Sequence, residues 1–362
     1  LLAFFIIRIV KRREPKLWIV AGLVVGIGLL TKLTILFFVA ALLLSFLAIS
    51  SSRNYLWSKW IVVGGLLSIT FVLPMLYWNS INGWPMVHFY QEFRGDFGGG
   101  GPGTFLYTQL ALISFLNIPI FVTGLYFYLR SSEGSAVRAL GLSALILYVV
   151  MTVLSMKPYY LAPIYPMLFA GGAILIEKSA ISKKGVFRWF GSRPYIACLL
   201  IVGILLAPIA IPILSPSTLV SSYGAGTYQS SPLSDRYGWG MMVSNLTQAY
   251  NTLPANERSQ ACIFTSNYGE ASAINFLGKS LPEAISGHNN YYIWGPDSCT
   301  GHVLITVGLQ LSDAQKLQAN ATLLTTIACQ YCVSYESNVS VYLLTNPNLS
   351  LASVWPQLRH YD

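Results

Sequence analysis

Long apolar runs separated by short basic clusters fill roughly the first two hundred residues, and residues 215–362 change to shorter, mixed stretches. A hydrocarbon core of about 30 Å is crossed by roughly 20 apolar residues of helix. By that measure the pattern predicts spans near 1–7, 17–30, 33–50, 60–78, 105–129, 139–156, 159–176 and 195–214. The stretch 17–50 fits either one over-long helix or two short ones broken at Thr31-Lys32. In the tail a helix is expected over 237–252 and strands near 260–267, 302–309, 322–329 and 339–345, with short helices near 270–277 and 312–319. Strands alternating with helices predict a small α/β layer domain.

Charge placement resolves the ambiguous stretch. Arg8, Lys11, Arg12, Arg13 and Lys16 form one basic loop, Arg53 and Lys59 a second, Arg130 and Arg138 a third. Lys178, Lys183, Lys184, Arg188 and Arg193 form the fourth. Cytoplasmic loops carry the excess of Lys and Arg. Two spans in 17–50 put all four loops on one side, whereas a single span puts the first opposite the rest. A break at Thr31-Lys32 is therefore predicted, and the last span then delivers the tail to the outer face. The expected architecture is an α-helical polytopic protein of the cell (plasma) membrane over 1–214, with an extracytoplasmic α/β domain over 215–362.

Composition agrees with that division. Hydrophobic residues make up 54% and charged residues 10% of the chain, against about 25% charged in soluble domains. Residues 1–214 hold seventeen bases and five acids, and residues 215–362 hold five bases and eight acids. The formal charge of +9 thus belongs to the membrane half and reflects topology, so nucleic acid is not an implied partner. The chain starts at Leu1 inside an apolar run with no Met, and is expected to be the C-terminal part of a longer protein.

Three bases fall outside the basic loops: Lys32, Arg94 and Lys157. A lone cation at membrane depth costs a few kcal/mol even on insertion scales. Each alone can be an interfacial side chain that snorkels to the headgroups. Three on one face with few acids point to an anion site, and the anion at that depth is a lipid phosphate. The connection 79–104 begins with Asn79 and runs to Trp84-Pro85, where Pro85 suits a first helical turn. Phe89, Phe93 and Phe97 recur at spacing four, as do Trp84, His88 and Glu92, which predicts an amphipathic interfacial helix. Such a helix is either a plain membrane-surface element or a flap whose His88, Glu92, Arg94 or Asp96 touches a lipid head group. Glu92 and Asp96 are the acids on this face, so a general base from this region would be one of them. Tyr159 and Tyr160 lie among Pro158, Pro163 and Pro166. Broken helix starts line cavities, and an interfacial tyrosine belt explains the tyrosines equally well.

The tail holds Cys262, Cys299, Cys329 and Cys332. Four cysteines in an oxidising compartment predict up to two structural disulfides, with three pairings open. Cys329-Gln-Tyr-Cys332 has redox spacing but sits in a strand-like run, away from a helix start that would stabilise a thiolate. His288 and His302 lie at no convincing zinc spacing. The clusters 267–270 and 287–290 mix Asn, Gly, Tyr and His, which suits carbohydrate binding and turns alike. No nucleotide-binding motif stands in a credible context, so an outward-facing enzyme would need a lipid-borne donor.

Three stretches carry a family resemblance. Trp18 to Lys32, ending Gly26-Ile-Gly-Leu-Leu-Thr-Lys32, is one; Pro74 to Pro85, with Trp78-Asn79 and Gly83-Trp84-Pro85, is the second; Lys157-Pro-Tyr-Tyr-Leu-Ala-Pro-Ile-Tyr-Pro-Met-Leu168 is the third. In this order they resemble bacterial membrane glycosyltransferases related to the dolichyl-phosphate-mannose protein mannosyltransferases, of the GT-C architecture that also includes the aminoarabinose transferases of lipid A. Asn267 to Ala271 and Ile285 to Pro296 look like the soluble domain of one branch. The resemblance implies transfer of a sugar from a polyprenyl-phosphate carrier to a glycan, lipid or protein acceptor on the outer face. It implies a lipid-phosphate role for Lys32 and Lys157; the residue pattern adds Asn79, Trp84, His88, Arg94, Tyr159 and Tyr160 as further candidate substrate contacts. The family's catalytic acid belongs to a first outer loop upstream of Leu1, and Glu92 and Asp96 are the weaker candidates within the chain. No cofactor is implied, although a divalent cation is compatible with the reaction. A transporter would show repeated halves with broken helices at the midplane, and a membrane-anchored sensor would not need so many spans.

Overall fold

The computed structural model describes all residues except 93–100, 184, 212, 232, 318–319, 346–349 and 362. Its helices in the first two hundred residues are α1 (Leu2–Arg12), α2 (Leu17–Thr31), α3 (Ile35–Ala48), α4 (Lys59–Ile81), α5 (Pro85–Glu92), α6 (Gly101–Leu112), α7 (Ile118–Arg130), α8 (Arg138–Val153), α9 (Tyr165–Ser182) and α10 (Arg193–Ala210). There follow α11 (Pro216–Tyr223), α12 (Trp239–Asn251), β1 (Ala261–Thr265), α13 (Tyr268–Leu277), β2 (Ala284–Ser286), β3 (Val303–Val307), α14 (Leu311–Leu317), β4 (Ala321–Ala328) and β5 (Asn338–Thr345). They form two compact units, Leu1–Trp84 with Arg94–Leu205, and Pro85–Phe93 with Leu206–Asp362.

The first unit is built from helix pairs that meet at glycines. A Cβ on Gly22 of α2 would collide with the Gly64 carbonyl oxygen of α4, and one on Gly64 with the Trp18 carbonyl. Gly124 of α7 and Gly172 of α9 stand in the same relation to the Leu168 and Ile120 carbonyls. Between apolar helices in lipid there is no hydrophobic drive to associate, so contact area must come from close backbone approach at small residues. Around these pairs Phe46, Leu140, Met151, Leu161 and Leu168 are buried.

Lys59–Ile81, Ser135–Val153 and Pro158–Ser182 are long and apolar enough to cross a membrane, and two bent pairs raise that number to five among the described residues. The run 17–50 is two helices: α2 ends at Thr31, Lys32 is extended (φ −163°, ψ 128°), and α3 begins at Ile35. The run 105–129, expected as one span, is a correction. It divides into α6 and the helix that starts near Phe115, bent by 84°. Ser114 takes a positive φ of 62° and Pro119 lies in the first turn of α7, so an unbroken hydrogen-bond ladder cannot pass.

In the second unit five strands form one sheet in the order β2-β1-β3-β5-β4. β1 is parallel to β2 and β3, and β5 runs antiparallel to both β3 and β4. Every residue of β3 is buried, as expected for a strand covered on both faces. Ile263, Ile305 and Val341 pack with Leu246 of α12 and Ile274 of α13 on one face, while Phe264, Leu304 and Leu344 pack with Ala314, Leu351 and Trp355 on the other. The three-residue β2 was not expected, because Ala284-Ile-Ser286 is too short to show a pattern. Its outer edge is closed by the Asn275 side chain, whose Nδ2 donates to the Ala284 carbonyl (3.0 Å) and whose Oδ1 accepts from the Ala284 amide (2.6 Å). That is a side-chain substitute for strand pairing at the sheet edge.

The glycine contacts generate a matched test. Gly22→Ala should destabilise the protein by roughly 1–3 kcal/mol through overpacking, whereas Gly65→Ala, with open space around it, should be neutral or slightly stabilising. Thermal unfolding in detergent micelles compares the two, and equal melting temperatures would contradict the tight α2–α4 contact.

Candidate functional site

The break between α2 and α3 places Lys32 where no helix continues, with its amide bonded to the Gly28 carbonyl (2.8 Å). Its Nζ lies 4.6 Å from the ring centroids of both Tyr159 and Tyr160 and 3.5 Å from the Tyr159 hydroxyl. The two rings meet edge to face at 5.0 Å. They are carried by a 3-10 turn, Pro158–Ile164, that leads into α9. Pro158, Pro163 and Pro166 lack amide hydrogens, which explains why the α-helix starts late. An ammonium over an aromatic face gains about 0.5–1 kcal/mol at an exposed site. These partners are neutral, so the positive charge is held in place and left available to an anion.

Beside Lys32 opens an apolar cavity of about 380 Å³, lined among others by Val24, Gly28, Phe37, Phe38, Met151 and Ile164, with Tyr160 also at its wall. A cation at the edge of an apolar chamber is the chemistry of a lipid with an anionic head. Lys157 precedes the tyrosine turn as its N-cap residue. Behind the turn stands Gln109 of α6, fully buried. Its Nε2 donates to the Pro158 carbonyl (2.9 Å), and the Tyr165 hydroxyl donates to its Oε1. Nothing in the local sequence around Gln109 distinguishes it from a polar residue on an apolar helix.

The other predicted residues are distributed differently. Asn79 is buried near the end of α4; its Nδ2 donates to the Met75 carbonyl (3.0 Å) and its own carbonyl accepts from the Trp84 amide (2.7 Å). Trp84, with φ +59°, is part of the turn that closes α4. His88 and Glu92 belong to the second unit, where His88 stacks on Tyr361 (6.3 Å, 13°) and Glu92 Oε2 accepts from the Tyr361 amide (2.9 Å). Arg94 and Asp96, with Phe93 and Phe97, lie outside the described residues. Cys262 pairs with Cys299 (Cα–Cα 5.8 Å) and Cys329 with Cys332 (Cα–Cα 5.5 Å). The second pair sits in the turn between β4 and β5, not within a strand.

The tail clusters form the carboxyl edge of the parallel strands, where open α/β sheets bind ligands. Here the chain fills that position itself. Glu270 Oε2 accepts from the Ser266 amide and hydroxyl (both 2.9 Å) and the Asn267 amide (3.3 Å), while Asn267 Oδ1 accepts from the Glu270 amide (3.0 Å). This capping box answers the free amides at the start of α13 with an internal carboxyl group. Gly308, at φ +76°, leaves room for Glu270, since a Cβ there would collide with Oε1. Asn267 Nδ2 donates to Glu336 Oε1 (2.8 Å). His288 stacks on His360 (4.7 Å) beside Tyr268. The Asn267-x-x-Glu270 spacing is a readable capping signature, whereas Glu336 and His360 reach the edge by tertiary folding alone.

Burial, then the nearby Glu336 charge, raises the Glu270 carboxyl to about 8, and burial raises Glu336 as well. The folded pair thus keeps a proton that the unfolded chain releases near pH 4.5. Its contribution to stability is full below that pH and declines as pH rises toward 8. Hydrogen exchange of the amides in 261–265 and 303–307, corrected for intrinsic rates, should report protection weaker by at least about 1 kcal/mol at pH 8 than at pH 5. Glu270→Gln should flatten that dependence.

A family model described as dolichyl-phosphate-mannose-protein mannosyltransferase matches residues 1–78. No curated protein and no solved structure matches the chain. The matched residues end one position before Asn79 and include the α2–α3 break with Lys32. By this match the N-terminal 78 residues are similar to the dolichyl-phosphate-mannose-protein mannosyltransferase family.

Proposed function

We propose that the protein transfers a sugar from a polyprenyl-phosphate carrier to an acceptor hydroxyl on the outer face of the membrane. The observation that carries this reading is the Lys32 ammonium, held by Tyr159 and Tyr160 at the edge of an apolar cavity. The cavity takes the first part of the lipid chain, and Lys32 with Lys157 binds the phosphate. In the reaction the acceptor oxygen forms a bond to the sugar's anomeric carbon as the bond from that carbon to the phosphate oxygen breaks. A carboxylate removes the acceptor proton, and the two lysines stabilise the charge that grows on the departing phosphate. The resemblance assigns that role to a carboxylate of the family's first outer loop. Glu92 is engaged by the Tyr361 amide, which disfavours it as that carboxylate.

The GT-C reading and the distribution of basic loops support a multi-pass chain with those loops in the cytoplasm. On that topology Lys32, Lys157 and the disulfide-bearing tail share the outer face, and two disulfides suit an oxidising compartment. The acceptor class is a glycan, lipid or protein of the cell envelope.

Lys32→Ala and Lys157→Ala should each lower transfer roughly 10- to 100-fold, the loss expected for one hydrogen bond to a charged group. The assay follows labelled sugar from a polyprenyl-phosphate donor in vesicles bearing the full-length protein. Turnover unchanged in both variants would overturn the lysines' role.

A further inference from the structure

We infer that Gln109 is a positioning residue that sets the Tyr159–Tyr160 pair against Lys32. The part of this inference that concerns donor lipid rests on the function proposed above.

The argument begins with the turn. Pro158–Ile164 has 3-10 geometry, whose hydrogen bonds are fewer and poorer than those of an α-helix. Two of its residues are prolines without a donor, so the segment cannot fix itself through its own backbone. Both rings that hold Lys32 are carried on it. An external fixing point is therefore required, and the structure supplies it at the first residue of the turn. Gln109 is fully buried, and a buried amide left unanswered costs about 1–3 kcal/mol. Both of its ends are answered, and by the same chain segment. Nε2 donates to the Pro158 carbonyl, one residue before Tyr159, and Oε1 accepts from Tyr165, the first residue of α9. One side chain thus bridges the two ends of the turn and fixes its length and rotation. A hydrophobic residue of the same size would pack equally well on α6, so the amide is explained by the turn it holds.

The experiment separates this role from a general loss of stability. In full-length protein in detergent, Gln109→Leu removes both bonds and Tyr165→Phe removes one. Ser143→Ala serves as the control: it deletes another fully buried hydrogen bond, to the Leu140 carbonyl (2.8 Å). The first readout is the rate at which an amine-directed acylating reagent modifies Lys32, followed by peptide mass spectrometry. Freed from the two rings, Lys32 should react up to about tenfold faster in Gln109→Leu, less so in Tyr165→Phe, and unchanged in Ser143→Ala. The second is binding of a polyprenyl phosphate, expected to weaken in the same order. Unchanged Lys32 reactivity in folded Gln109→Leu, or an equal change in Ser143→Ala, overturns the inference. Raised reactivity in Gln109→Leu with no effect on polyprenyl phosphate binding upholds the positioning role and overturns the donor-site reading instead.

Discussion

An ammonium group set between apolar helices has to be answered, and the answer given to Lys32 organises the first unit. Two aromatic faces hold the charge without cancelling it. That solution requires an interruption in the chain at residues 32–34, where the lysine can leave the helix axis. It also uses the 3-10 segment at 158–164, which carries two consecutive tyrosines to the same cation.

The helices that frame this arrangement are joined where side chains are absent. Gly22 with Gly64, and Gly124 with Gly172, let pairs of backbones touch. Dispersion between closely spaced atoms falls off steeply with distance, so a backbone contact in an apolar surrounding is sensitive to a single methyl group. The sheet domain uses a different principle. Its central strands are buried on both faces by two separate clusters, and its vulnerable edges are closed by side chains such as Asn275.

Much of the architecture could be read from residue order alone. Counting basic loops located the interruption at Thr31-Lys32, a feature that hydropathy leaves open. Alternation and turn residues gave four strands and the helices between them. The failures have physical causes. The run 105–129 is predominantly apolar, and apolarity says nothing about a backbone torsion at Ser114. β2 is too short for any periodicity. The site divides in the same way. Lys32, Tyr159 and Tyr160 were legible because charge is rare in apolar sequence and prolines mark a broken helix. Gln109, Glu336 and His360 were not, since each acts through a partner 49 or more positions away.

One contact in the second unit bears on how the chain is made. Glu92 and the Tyr361 amide are separated by 269 positions. At about 5–20 residues per second of synthesis, α5 waits roughly 13–54 s before its partner exists. An eight-residue helix is too short to persist alone in water. During that interval residues 85–92 must rest on something other than their final neighbour, and only the arrival of Tyr361 completes their place. A helix of eight residues is thus committed to its place only when a residue made 269 positions later arrives.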